Sequence, residues 1–235
     1  MKLVLTKKPK SVTIIEGFPG FGLIGTIATE FLMEHLDTEK IGTIEMDEVP
    51  AMIAIHKNKV IEPVSLHYNK EYNLVLVHAI NVSKELSWKL AEIIAELAKT
   101  LDAKQIISLE GVGSPNPESG RVFFYSTENG AMTKKLSSLA MPLSEGIIVG
   151  VTGALLARTV NVPIIALFAE ARSGMPDSKA AAEIIKALDA YAGLQVDPKP
   201  LLKQAVEFEK KLKGIMEKSQ DAEELQEEKK RSYVG

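Results

Sequence analysis

Val12-Thr13-Ile14-Ile15-Glu16-Gly17-Phe18-Pro19-Gly20-Phe21-Gly22-Leu23-Ile24-Gly25 is the stretch that decides the fold. Its first part is apolar and β-branched, as a strand requires. An amphipathic run from Leu23 to Leu36 follows the glycines and reads as a helix. A Gly-rich turn between a strand and a helix is the setting in which backbone N–H groups can face a ligand. Gly20-Phe21-Gly22-Leu23-Ile24-Gly25 formally satisfies G-x-G-x-x-G, and Glu45 and Asp47 follow roughly 20 residues on.

Working outward, 235 residues fit one large α/β domain with an appended helical part. Apolar residues make up 46% of the chain, enough for an ordinary core, and the net charge is −3. No basic stripe appears except Lys229-Lys230-Arg231 close to the end, so nucleic acid is not an expected partner. There is no cysteine, which excludes disulfides, thiolate catalysis and thiolate metal sites. Met1 to Lys10 lacks the apolar core of a signal peptide, and no apolar run approaches a membrane span. The expectation is a soluble cytoplasmic protein with no membrane partner.

Strand-like runs occur at Ser11–Glu16, Lys40–Met46, Ala51–His56, Val60–Tyr68, Tyr72–Ala79, Lys104–Leu109, Arg121–Ser126 and Pro163–Ala169. Continuous apolar runs such as Leu74-Val75-Leu76-Val77 predict central strands covered on both faces. Helical spacing is clear at Leu23–Leu36, Lys84–Leu101 and Ser178–Ala192, with Ser83 and Asp177 as expected N-caps. The pattern predicts a three-layer α/β/α sandwich with a mixed, mostly parallel sheet, and an antiparallel section between Lys40 and Ala79. Gly111-Val112-Gly113-Ser114-Pro115-Asn116-Pro117 reads as a loop at a strand end. Residues 1–197 are expected to form the domain, 198–218 a C-terminal helical part, and 219–235 a mobile charged tail.

The glycine run also has a structural reading, because tight turns need glycine for positive φ and close packing. Phe18-Pro19 intrudes between strand and glycines, and Phe21 sits where backbone should approach a pyrophosphate. Glu45 and Asp47 lead straight into Val49-Pro50. These features favour the structural reading over a dinucleotide site. The absence of G-K-[ST] excludes a P-loop. His35, His56, His67 and His78 lack metal-ligand spacing, so no metal or cofactor is expected. Glu170-Ala171-Arg172 sits after a buried-type strand; an acid–base site and a loop ion pair both fit, and the ion pair fits better. Trp88 and Phe123-Phe124 read as core or interface anchors. The chain finishes Ser232-Tyr233-Val234-Gly235, either a peptide for a pocket on a partner or an inert end.

Taken together, Glu16–Gly25, Glu48-Val49-Pro50, Gly111-Val112-Gly113, Glu170–Asp177 leading into Lys179-Ala180-Ala181-Ala182, and Val196-Asp197-Pro198 with Leu201-Leu202 resemble the PAC2 family, the proteasome assembly chaperone 2-like proteins, in particular its archaeal members. The resemblance implies an α/β/α sandwich similar to phosphorylase/hydrolase-like folds, with no catalytic set to carry over. It implies a non-enzymatic binder of the α-ring of the proteasome core particle, as assembly chaperone or ATP-independent activator. It further implies a homo-oligomer, a tetramer or similar, that projects C-terminal arms. Such arms end hydrophobic–Tyr–any residue. Here Tyr233 stands third from the end and Ser232 takes the hydrophobic place. Ser232, Tyr233, Val234 and Gly235 are therefore the expected partner contacts. Gly17, Phe18, Pro19, Gly20, Gly22, Glu170 and Arg172 mark the candidate cleft or interface. The alternative is a small-molecule enzyme that uses this Gly-rich cleft.

Overall fold

The structure, a computed structural model, describes residues 1–48, 54–56, 59–113, 120–158, 160–171, 175–203, 205, 209–210 and 213–214, the side chains of 54, 56 and 59 excepted. In chain order these form β1 (Lys2–Leu5), β2 (Thr13–Gly17), a 3₁₀ turn (Phe21–Leu23), α1 (Ile24–His35), β3 (Thr38–Glu45), β4 (Ala54–His56), β5 (Lys59–Ile61), β6 (Val64–Asn69) and β7 (Leu74–Ala79). A second 3₁₀ turn (Lys84–Leu86) leads into α2 (Ser87–Thr100). Then come β8 (Gln105–Gly113), β9 (Val122–Ser126), α3 (Ala131–Ser137), β10 (Met141–Pro142), α4 (Gly150–Leu156), β11 (Ile164–Ala171) and α5 (Ser178–Ala192). Residues 199–203 continue as helix.

One mixed sheet runs β1-β3-β6-β7-β2-β8-β11-β9-β10, with β4 and β5 paired apart from it. Its centre, β7-β2-β8-β11, is parallel. On one flank β1, β3, β6 and β7 pair antiparallel, and on the other β11 meets β9 antiparallel. Strand alternation splits the interior into two cores. Ile15, Leu76, Ile107 and Leu167 face α1 and α5. Ile14, Val75, Val77 and Ile106 face α2 and α4. Central strands apolar on both faces and helices apolar on one are what a three-layer α/β/α sandwich demands, and that is the architecture found.

The differences from the sequence reading have local causes. Pro63 has no N–H for a ladder and divides the Val60–Tyr68 run into β5 and β6. Gly111-Val112-Gly113 is not loop but the end of β8, held in register by Ala169, Glu170 and Ala171 of β11. The edge strand β1, antiparallel to β3, has only four residues, too few to stand out in sequence. Asp177 caps α5 through a hydrogen bond from Ala180 N to its Oδ1 at 3.0 Å. Ser83 precedes the 3₁₀ turn, yet its hydroxyl makes no capping bond. Trp88 is 56% exposed and so is no core anchor, whereas Phe124 is buried.

Candidate functional site

The Gly-rich turn lies at the C-terminal ends of the parallel strands, where open α/β sheets form their crevices. Here the chain's own atoms occupy the close approaches. A Cβ on Gly20 would overlap Glu110 Oε1, and one on Gly111 would overlap the Phe21 carbonyl. Gly22 has φ +67°, a left-handed conformation that suits glycine, and its carbonyl accepts from Asp177 N at 2.9 Å. Leu23 is also left-handed, at φ +50°, and is held there by burial. Phe18 is buried, Pro19 is half-buried, and the exposed Phe21 ring lies across Gly113, where a Cβ would stand 3.0 Å from its Cζ. Gly17, the last residue of β2, packs directly on Gly25 of α1. Packing between strand, turn and helix therefore accounts for the glycine spacing without a nucleotide.

Beneath the turn is a feature that the sequence reading passed over. Glu16 of β2 stands in register with Ser108 of β8, and Glu110 follows two residues later on the same face. Glu16 is 1% exposed, and burial pushes its carboxyl up to about 8, only partly offset by the Ser108 and Thr152 hydroxyls, while Glu110 nearby pushes it further up. Glu110 is half-buried; its carboxyl is pushed up to about 7, chiefly by burial. Its Oε1 accepts from Gly111 N at 3.4 Å and its Oε2 from the Thr152 hydroxyl of α4 at 3.3 Å. The available signal was an acid inside each of two central apolar strands, where charged residues are rare.

Glu170 forms an ion pair with Arg121, while Arg172 lies outside the described residues. Arg121, the residue just before β9, donates to Glu170 twice, from Nε at 2.8 Å and Nη2 at 2.7 Å. A bidentate pair between strand ends clamps β9 to β11. Ser232, Tyr233, Val234 and Gly235 also lie outside the described residues. His78 shares a buried hydrogen bond with Thr29, His67 bonds Ser65, and His35 stacks on Phe31. Among the described residues no cluster of three or more His, Asp or Glu could hold a metal ion. No described helix is long and apolar enough to cross a membrane. A hollow of about 400 Å³ lies at the opposite, N-terminal end of the parallel strands, lined by Thr13, Tyr72, Gln105, Lys135 and Tyr191 among others.

The fold thus defines a three-layer α/β/α protein whose glycine turn is sealed by its own strands. The chain belongs to the PAC2 family, whose family model matches residues 14–216. It is similar to Pyrococcus furiosus PbaA, an archaeal homolog of proteasome-assembly chaperone. That structure shares 30% identity and superposes with a TM-score of 0.83 over 94% of this chain and 98% of the other. P. furiosus PbaB, an archaeal proteasome activator, shares the fold at 23% identity, with a TM-score of 0.74 over 92% of this chain and 98% of the other. An uncharacterized protein of Methanocaldococcus jannaschii is 28% identical over 206 residues, 87% of this chain and 85% of its own length.

Proposed function

We propose that this chain works by binding: a non-enzymatic, cytoplasmic, proteasome-assembly chaperone homologue that docks on the α-ring of the proteasome core particle. The supporting observation is the similarity to the assembly-chaperone homolog PbaA over nearly the whole of both chains. Residues 1–197 supply a platform, 198–218 a helical part, and 219–235 an arm whose Ser232, Tyr233, Val234 and Gly235 contact the ring. Self-association multiplies the arms, so weak single contacts add up through effective concentration. An arm of this length spans tens of ångströms as a random coil. The packed glycine turn favours this reading over a nucleotide enzyme.

The test is peptide hydrolysis by a latent core particle with the full chain or a version ending at Arg231, with a pull-down in parallel. The expected outcome is capture of the core particle by the full chain and its loss on truncation. Tail-dependent stimulation of hydrolysis identifies an ATP-independent activator; capture without stimulation identifies a chaperone. Absence of capture with the folded full chain refutes the reading, as does a strictly monomeric chain in sedimentation for the platform.

A further inference from the structure

Two acids meet where the glycine turn, β8 and α4 converge, and docking of the C-terminal arm makes no use of them. Neither oxygen of Glu16 makes a hydrogen bond of ordinary geometry, although the Ser108 and Thr152 hydroxyls stand close by, and the fully buried Ser108 hydroxyl likewise makes none. Glu110 is bonded to Thr152 of α4 and lies directly under Gly20. An ionised carboxylate without a partner is strongly disfavoured in such surroundings, and two neighbouring ones are worse. A protonated carboxyl instead brings an O–H that the Ser108 and Thr152 hydroxyls can accept.

Among the described residues the surrounding charges do not offer a counterion. Glu110 is the charged group that acts on Glu16, and it opposes ionisation. On α2, Lys89, Glu92, Glu96 and Lys99 are exposed, and Glu92 is taken by Arg158. Helix α4 carries no titratable side chain. On β7, His78 faces the other core and bonds Thr29 of α1, the helix that also carries Glu30. On β11, Glu170 is held by Arg121. Ionisation must therefore admit water. Both β2 and β8 are paired on two sides, so the walls that can yield are the turn and α4.

We propose that Glu16, Ser108, Glu110 and Thr152 form a proton-operated latch: with both carboxyls protonated it seats the Gly17–Leu23 turn and α4 on the sheet, and ionisation releases them. The half-buried Glu110 gives protons their route. Release shifts the exposed Phe21 on the turn and the exposed Ile147 and Val149 that lead into α4, so pH near neutrality alters the apolar surface the molecule presents.

The experiment uses the full chain. Carboxyl carbon NMR follows Glu16 and Glu110 with pH, and amide hydrogen exchange, corrected for intrinsic rates, follows residues 17–24 and 150–156 against α5. Expected are carboxyl midpoints well above the ordinary 4.5. Protection of the turn and α4 should fall about tenfold between about pH 6 and pH 9 while α5 holds. In Glu16→Gln with Glu110→Gln, neutral isosteres of the protonated pair, that fall disappears. Ordinary midpoints in the wild type, which need no variant to fold, overturn the latch. So does pH-independent protection, or an equal loss in α5. A rise in wild-type melting temperature with Mg²⁺ or Ca²⁺ at neutral pH, reversed by EDTA and absent in Glu16→Gln, also overturns it in favour of a cation between ionised carboxylates.

Discussion

Gly111 shows how far a single residue can be specified by what lies opposite it. It occupies an ordinary strand position, but the Phe21 carbonyl fills the space a side chain would need. Gly111→Ala forces turn and strand apart and is expected to cost about 1–3 kcal/mol, the range for overpacking a core. Gly146→Ala is the control: the residue is exposed, its φ lies outside the left-handed region, and the atoms nearest its Cβ position are 3.6 Å away or farther. That substitution should stay within about 0.5 kcal/mol. Urea unfolding of both variants checks the contrast, and equal losses would mean that the close approach at Gly111 is not limiting. Glu16 is the opposite case, a residue whose chemistry conflicts with its surroundings rather than matching them.

Among the elements, α5 is the one most fully written in local sequence. Asp177 caps it, its apolar stripe faces the core shared with α1, and it ends at Gly193 with φ +70°. Asp177→Ala removes the acceptor for Ala180 N and is expected to cost about 1 kcal/mol by urea unfolding. Asp177→Asn should retain most of that stability. The same residue ties the helix to the glycine turn through its backbone N–H to Gly22 O, a contact both variants keep. Strand β8 teaches the converse. Its glycines carry weak strand propensity, and only pairing with β11 on one side and room for Phe21 on the other carry it to Gly113. In the same way Glu170 pairs with Arg121, the residue that leads into β9 and is far from it in sequence.

At the scale of the whole molecule, the buried acids predict an unusual dependence of stability on pH. Unfolded, Glu16 releases its proton near 4.5; folded, it holds it up to about 8. Glu110 behaves likewise, up to about 7. The native state therefore binds more protons across this window, so stability falls as pH rises from about 4.5 to 8 and levels off above. The slope should approach roughly 1 kcal/mol per pH unit for each proton held. Denaturant midpoints measured from acid to alkaline pH should show it, and Glu16→Gln should flatten it. Parallel slopes in wild type and variant would assign the dependence to other groups.

The sequence by itself determined the layered α/β/α plan, the central strands, the three long helices, the turn at Gly17–Leu23 and the Asp177 cap. These depend on apolar period and turn chemistry, which are local and can be read along the chain. The family resemblance was legible for the same reason, since its motifs are the strand ends and turns that such packing constrains. Tertiary structure alone decided that Glu16 meets Ser108 and Glu110, that Arg121 clasps Glu170, and that the glycine turn is closed by β8 and the segment before α5. Each of these needs strands distant in the chain to lie side by side in one register. That choice is made by the summed burial of both cores, and no short stretch of sequence carries it.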